Sequence, residues 1–128
     1  MNLLLDTHAA VWFLEGNDKL RPTARQFIGD PNNNSFVSIV SLWEVGIKLS
    51  ASKLELKSPF EEVFPGELDR NGIALLRLEI AHIARATSLP FYHRDPFDRM
   101  LVAQCLVEGL SIVSADAALD AYGVSRFW

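Results

Sequence analysis

The sequence predicts an α/β fold, a three-layer sandwich in which a mostly parallel sheet of four to five strands carries helices on both faces. Three observations predict it. Short apolar runs alternate along the chain with segments of helical period, the order that packs as a covered parallel sheet. Of the 128 residues, 49% are hydrophobic, enough for a sizeable core. No repeat, low-complexity tract or linker divides the chain, so residues 1–128 read as a single domain.

Taken in order, Asn2 to Leu5 reads as a buried strand and Thr7 to Glu15 as a helix ending near Gly16. Pro22 to Ile28 is a short helix with proline in its first turn. After the turn-rich Asp30-Pro31-Asn32-Asn33-Asn34, the β-branched stretch Phe36 to Val40 is a second strand. Ser41 to Leu49 follows as a helix, opened by the capping-box spacing of Ser41-Leu42-Trp43-Glu44. Ser58-Pro59-Phe60-Glu61 has the same spacing and predicts another helix start. Ile73 to Leu78 is a third strand and Glu79 to Thr87 a helix. Asp95-Pro96 opens a helix that runs to Glu108 and stops at Gly109. Ser111 to Val113 is a fourth strand, Asp116 to Ala121 a short helix, and Val124 to Phe127 a last strand.

Composition narrows the setting. Cys105 is the one cysteine, so no intrachain disulfide forms, and its apolar surroundings predict a buried, inert thiol. That usage suits a reducing cytoplasm. Leu3 to Leu5 is broken by Asp6 with no basic region before it, and no run reaches the roughly 18 apolar residues of a membrane span. A cytoplasmic protein without membrane contact is expected. The net charge of −4 runs against a nucleic-acid binder, whose contact face is usually basic. The objection weakens if the acids gather around a cation.

Four acids sit where such a gathering is built. Asp6 follows the first strand, Glu44 and Asp98 lie in predicted first helical turns, and Asp116 follows the fourth strand. In an open parallel sheet the ligand site lies beyond the carboxyl ends of the strands. Each acid also fits a plain structural role, as a helix cap or a first-turn acid favoured by the helix dipole. Energetics separates the readings. Two carboxylates about 4 Å apart repel by roughly 4 kcal/mol at an effective dielectric near 20. Several such pairs rival the whole stability of a small domain, about 5–15 kcal/mol. Convergence therefore demands protonation or a cation, and oxygen ligands suit Mg²⁺ or Mn²⁺. Zinc is disfavoured, because Cys105 stands alone and His8, His82 and His93 show no ligand spacing.

The segments Leu4-Leu5-Asp6-Thr7, Ser41-Leu42-Trp43-Glu44, His93-Arg94-Asp95-Pro96-Phe97-Asp98-Arg99 with the following Met100 to Gln104, and Val113-Ser114-Ala115-Asp116 together resemble the PIN-domain family. More narrowly they resemble the VapC toxins of bacterial toxin–antitoxin pairs, over essentially the whole chain. The resemblance implies a Mg²⁺- or Mn²⁺-dependent endoribonuclease, usually a homodimer, inhibited by a cognate antitoxin. It implies that Asp6, Glu44, Asp98 and Asp116 form the catalytic, metal-holding set, with Asp95 an extra acid outside the expected register. Hydrolysis by an activated water would leave a 5′-phosphate and a 3′-hydroxyl.

For the RNA itself the candidate contacts are Thr7, Lys48, Arg94, Arg99 and Ser114. Thr7 and Ser114 match accessory hydroxyls that hydrogen-bond a carboxylate or a bound water. Lys48 either pairs with Glu44 at i,i+4 or touches phosphate. One of Arg94 and Arg99 contacts phosphate, or both offset the neighbouring acids. Trp12 and Trp43 read as core rather than as base-stacking surfaces, and Phe127 and Trp128 either dock on the domain or meet a partner.

Two other enzyme classes are disfavoured by single positions. Haloacid-dehalogenase-type phosphatases need an acid two residues after the first aspartate, where this chain has His8. Receiver domains need a late lysine, and none follows Lys57. A catalytically silent PIN-like binding module is the remaining rival.

Overall fold

Leu3, Leu4 and Leu5 are all fully buried, and their strand organises the molecule. The computed structural model describes residues 1–128. It contains five strands, β1 (Asn2–Leu5), β2 (Asn34–Ser38), β3 (Ala74–Leu76), β4 (Ser111–Val113) and β5 (Arg126–Phe127). They form one sheet in the order β3-β2-β1-β4-β5, with every pairing parallel. Alternate side chains of a strand point to opposite faces. Leu3 and Leu5 therefore pack with Ala9, Ala24 and Val45 in one core, while Leu4 packs with Leu101, Val102 and Ile112 in another. Each buried leucine contributes about 1.5–3 kcal/mol, so this short strand anchors both layers.

The first layer is built by α1 (Thr7–Glu15), α2 (Pro22–Gly29), α3 (Ile39–Ser50), α4 (Phe60–Val63) and α5 (Gly66–Arg70). The second is built by α6 (Ile80–Ser88), α7 (Pro96–Glu108) and a 3₁₀ helix over Ala117–Tyr122. The α/β sandwich with a parallel sheet is thus the predicted one. Gly16 and Gly109 end α1 and α7 in the left-handed region, at φ of 64° and 68°, where glycine carries no Cβ penalty.

Several local expectations are corrected. β2 ends at Ser38 and α3 begins at Ile39, two residues before the predicted start. The cap is Ser38, whose hydroxyl accepts from the Val40 amide, so the Ser41–Glu44 capping box does not form and Glu44 lies beyond the first turn. α4 starts at Phe60 behind Pro59 without a side-chain cap, so the Ser58 box is absent too. α5 was not anticipated, β3 is half the predicted length, and the final short helix is 3₁₀. Trp43 is 67% exposed rather than core. Phe127 docks on Phe27 and Trp128 on Trp12, with ring centroids 4.8 Å and 6.1 Å apart. Burial pushes the Cys105 thiol up to about 12, as an inert core cysteine requires. No helix is long and apolar enough to cross a membrane.

Candidate active site

The sheet register sets the site. Leu5 is level with Val37 on one side and Val113 on the other, so the residues after β1 and β4 emerge side by side. The Asp6 amide donates to the Val113 carbonyl at 3.0 Å. Strand order reverses at β1, since β2 and β3 lie to one side and β4 and β5 to the other. A cleft of about 200 Å³ opens at this edge, lined among others by Asp6, Glu44, Asp95, Asp98 and Asp116. Acids up to 110 positions apart in the chain (116 less 6) thus share one small space.

Each has a local anchor. Asp6 is buried and caps α1, its Oδ1 accepting from the Ala9 amide at 2.8 Å. Burial foremost holds its carboxyl well above the usual range, and Glu44 adds to the rise. The Ser114 hydroxyl, the Ala9 amide and His8 work in the opposite direction. Glu44 is buried on α3; its Oε1 accepts from the Thr7 hydroxyl and its Oε2 from Lys48 Nζ, both at 2.6 Å. Asp98 stands in the first turn of α7, with a side chain 24% exposed. Burial first, then the Asp95 carboxylate, then Asp6 and Glu44 push it up to about 7, with His93 opposing. Asp95 caps α7, its Oδ1 accepting from the Phe97 and Asp98 amides. Asp116 caps the 3₁₀ helix through the Ala118 amide.

The acids are not equally close. The carboxylates of Asp98 and Asp116, together with His93, offer ligand atoms all within 4.8 Å of one another. Asp6 and Glu44 stand outside that tightest group, yet near enough for their charge to raise Asp98. The clustering thus coexists with the capping roles: Asp6 and Asp116 do both.

The accessory residues divide. Thr7 and Ser114 are buried beside carboxylates, Thr7 donating to Glu44, while Ser114 Oγ accepts from the Asp116 amide. Lys48 lines the cleft and makes the i,i+4 ion pair with Glu44. Arg94 is exposed, outside the cleft wall. Arg99 corrects its expectation. It is 7% exposed, and its guanidinium donates to the carbonyls of Ala86, Leu89 and Pro90 and to the Tyr122 hydroxyl, with Phe91 stacked at 4.2 Å. Four bonds from its two terminal nitrogens go to the loop and Tyr122, and the side chain does not line the cleft, so Arg99 is scaffold.

His93 is the residue that sequence reasoning passed over. Its Nε2 lies 2.7 Å from Asp116 Oδ2 and 3.4 Å from Asp98 Oδ2. Metal-ligand spacing along the chain gave no hint, because its neighbours come from two other elements. The usable signal was local: a histidine two residues before an N-cap aspartate can take that residue's amide, and the Asp95 amide does donate to His93 Nδ1 at 3.1 Å. Trp12 is half-buried and lines the cleft with His8, so it is not wholly core.

The model of the PIN domain matches residues 3–124 of this sequence. The chain belongs to the PIN domain family. PIN domains are nucleases, and the cleft of carboxylates is this one's candidate centre. Among solved structures the PIN chain here is similar to one in VapBC2 from Rickettsia felis, solved bound to a DNA fragment from their promoter. That match has 14% identity and a TM-score of 0.70, covering 99% of this chain and 98% of that one. FitAcB from Neisseria gonorrhoeae matches at 17% identity and a TM-score of 0.62, over 98% and 96% of the two chains. VapBC-1 from nontypeable Haemophilus influenzae matches at 12% and 0.62, over 99% and 97%. These likenesses establish the PIN fold from end to end. No curated protein sequence matches the chain.

Proposed function

We propose that the protein is a metal-dependent endoribonuclease and the toxin of a toxin–antitoxin pair, acting in the cytoplasm as a homodimer. The observation that carries the reading is the gathering of Asp6, Glu44, Asp98 and Asp116 in one cleft, where burial first and the neighbouring carboxylates next hold Asp98 up to about 7. An oxygen-dominated set of clustered carboxylates fits Mg²⁺ or Mn²⁺. Asp6, Asp98 and Asp116 are the residues that would hold the cation. When bound, it would polarise the scissile phosphate and acidify the attacking water. Glu44, fixed at Oε1 by Thr7, offers Oε2 to the cation or to the proton of that water once Lys48 turns away. Lys48 at the cleft wall and exposed Arg94 supply charge for the RNA backbone. Thr7 and Ser114 serve by holding carboxylates, and Trp12 and His8 offer rings at the rim.

A protein partner is supported by the outer face of α3, the helix that carries Glu44. Ile39, Leu42, Trp43, Leu49 and Phe60 line an apolar groove there, larger in character than scattered surface hydrophobics. An antitoxin seated on that groove would lie beside the catalytic helix.

The test is incubation of purified protein with total RNA, with Mn²⁺ and with chelator. Metal-dependent fragments carrying 5′-phosphates are expected, and Asp6→Asn should abolish them while keeping the fold, because asparagine also caps helices. Equal cleavage by that variant refutes the assignment. Tight RNA or protein binding without any cleavage supports the silent binding module instead.

A further inference from the structure

We propose that His93 is a positioning residue that donates its Nε2 proton to the carboxylates of Asp116 and Asp98, and is not itself a ligand of the cation. The inference rests on the metal-centre reading above.

A histidine within 4.8 Å of two carboxylates suggests a ligand at first sight. The other side of the ring argues otherwise. Nδ1 accepts the Asp95 amide at 3.1 Å. A backbone N–H can only donate, so Nδ1 must present a lone pair and the ring proton belongs on Nε2. Nε2 with a proton is a donor aimed at Asp116 Oδ2, 2.7 Å away, with Asp98 Oδ2 at 3.4 Å. Coordination through Nε2 would need the other tautomer, which sets an Nδ1 proton against the Asp95 amide proton. His93 also stands behind the two aspartates, since it does not line the cleft that they line.

The surrounding loop is built to hold the ring there. Tyr122 Oη donates to the Pro90 carbonyl at 2.7 Å and accepts the His93 amide at 3.0 Å. Arg99 fastens the same loop through the carbonyls of Leu89 and Pro90. Asp116 is thereby fixed at both oxygens, Oδ1 by the Ala118 amide and Oδ2 by His93. Ligating carboxylates depend on such outer hydrogen bonds, whose loss weakens metal binding about 10–100-fold. The arginine beside Asp98 is thus scaffold, and the histidine in the loop it fastens is the residue that meets the aspartates.

Mn²⁺ binding tests this directly. Pulsed electron paramagnetic resonance of Mn²⁺ in the wild-type protein should show no directly coordinated imidazole nitrogen. Titration calorimetry should show His93→Leu weakening Mn²⁺ binding about 10-fold or more. His93→Gln, which restores an N–H donor of similar reach, should recover most of that loss, which a packing role would not. A nitrogen coupling that vanishes in His93→Gln makes His93 a ligand and overturns the inference. Unchanged Mn²⁺ affinity in a folded His93→Leu overturns it as well. Should the leucine variant fail to fold, the wild-type spectrum and the glutamine titration decide. Absence of any saturable Mn²⁺ binding by the wild type is a separate failure, that of the metal reading itself.

Discussion

Replacing Asp98 by asparagine should stabilise this protein, although Asp98 belongs to its candidate active site. Asp98 is raised from 3.8 to about 7. The cause is burial first, then repulsion from Asp95, Asp6 and Glu44. That displacement corresponds to a ceiling of about 4 kcal/mol. The side chain is 24% exposed, and solvent screening reduces the ceiling to roughly 1–2 kcal/mol. The sign follows from proton counting. Between about pH 4 and 7 the native state binds a proton at Asp98 that the unfolded chain has released, so native stability falls as pH rises through this window. Above 7 the full penalty is present. An amide carries no charge, and Asp98 has little to lose in return, its side chain making only the 3.4 Å approach to His93. In chelator at pH 8, Asp98→Asn should therefore melt roughly 4–8 °C above the wild type, and at pH 5 the gap should shrink. Differential scanning calorimetry at both pH values is the assay. A variant that melts at or below the wild type at pH 8 refutes the argument that the carboxylates strain the cleft.

Two other substitutions probe the scaffold around the site. Thr7→Val removes the hydroxyl that donates to buried Glu44 Oε1, which should cost about 1–3 kcal/mol in urea denaturation at constant volume; an unchanged midpoint would show that Thr7 does not hold Glu44. Arg99→Met frees the carbonyls of Ala86, Leu89 and Pro90 and should cost about 3 kcal/mol by the same assay, with RNA affinity per folded molecule in chelator unchanged. Intact stability with weakened RNA binding would restore the phosphate-contact role that the structure takes from it.

Periodicity and apolar runs suffice to fix the sheet-and-helix class, because burying Leu3, Leu4 and Leu5 on both faces leaves few alternatives. Asp6, Asp98 and Asp116 could be picked from the sequence because they follow strands or open helices, and a parallel sheet delivers those positions to one edge; Glu44 was picked for a first-turn place that it does not hold, and it lines the same cleft from the second turn of α3. Boundaries were less legible: Ser38 and Ser41 are both competent caps, and the length of β2 against β1 chose Ser38. What only the tertiary structure decided is the partner of each polar group. Thr7 meets Glu44 across 37 residues, and His93 meets Asp116 across 23. Arg99 is turned inward to the loop carbonyls rather than outward to solvent. Hydrogen bonds and charge pairs act over a few ångströms and carry no period along the chain, so their assignment waits on packing, whereas hydrophobic burial is written into the spacing of the residues themselves.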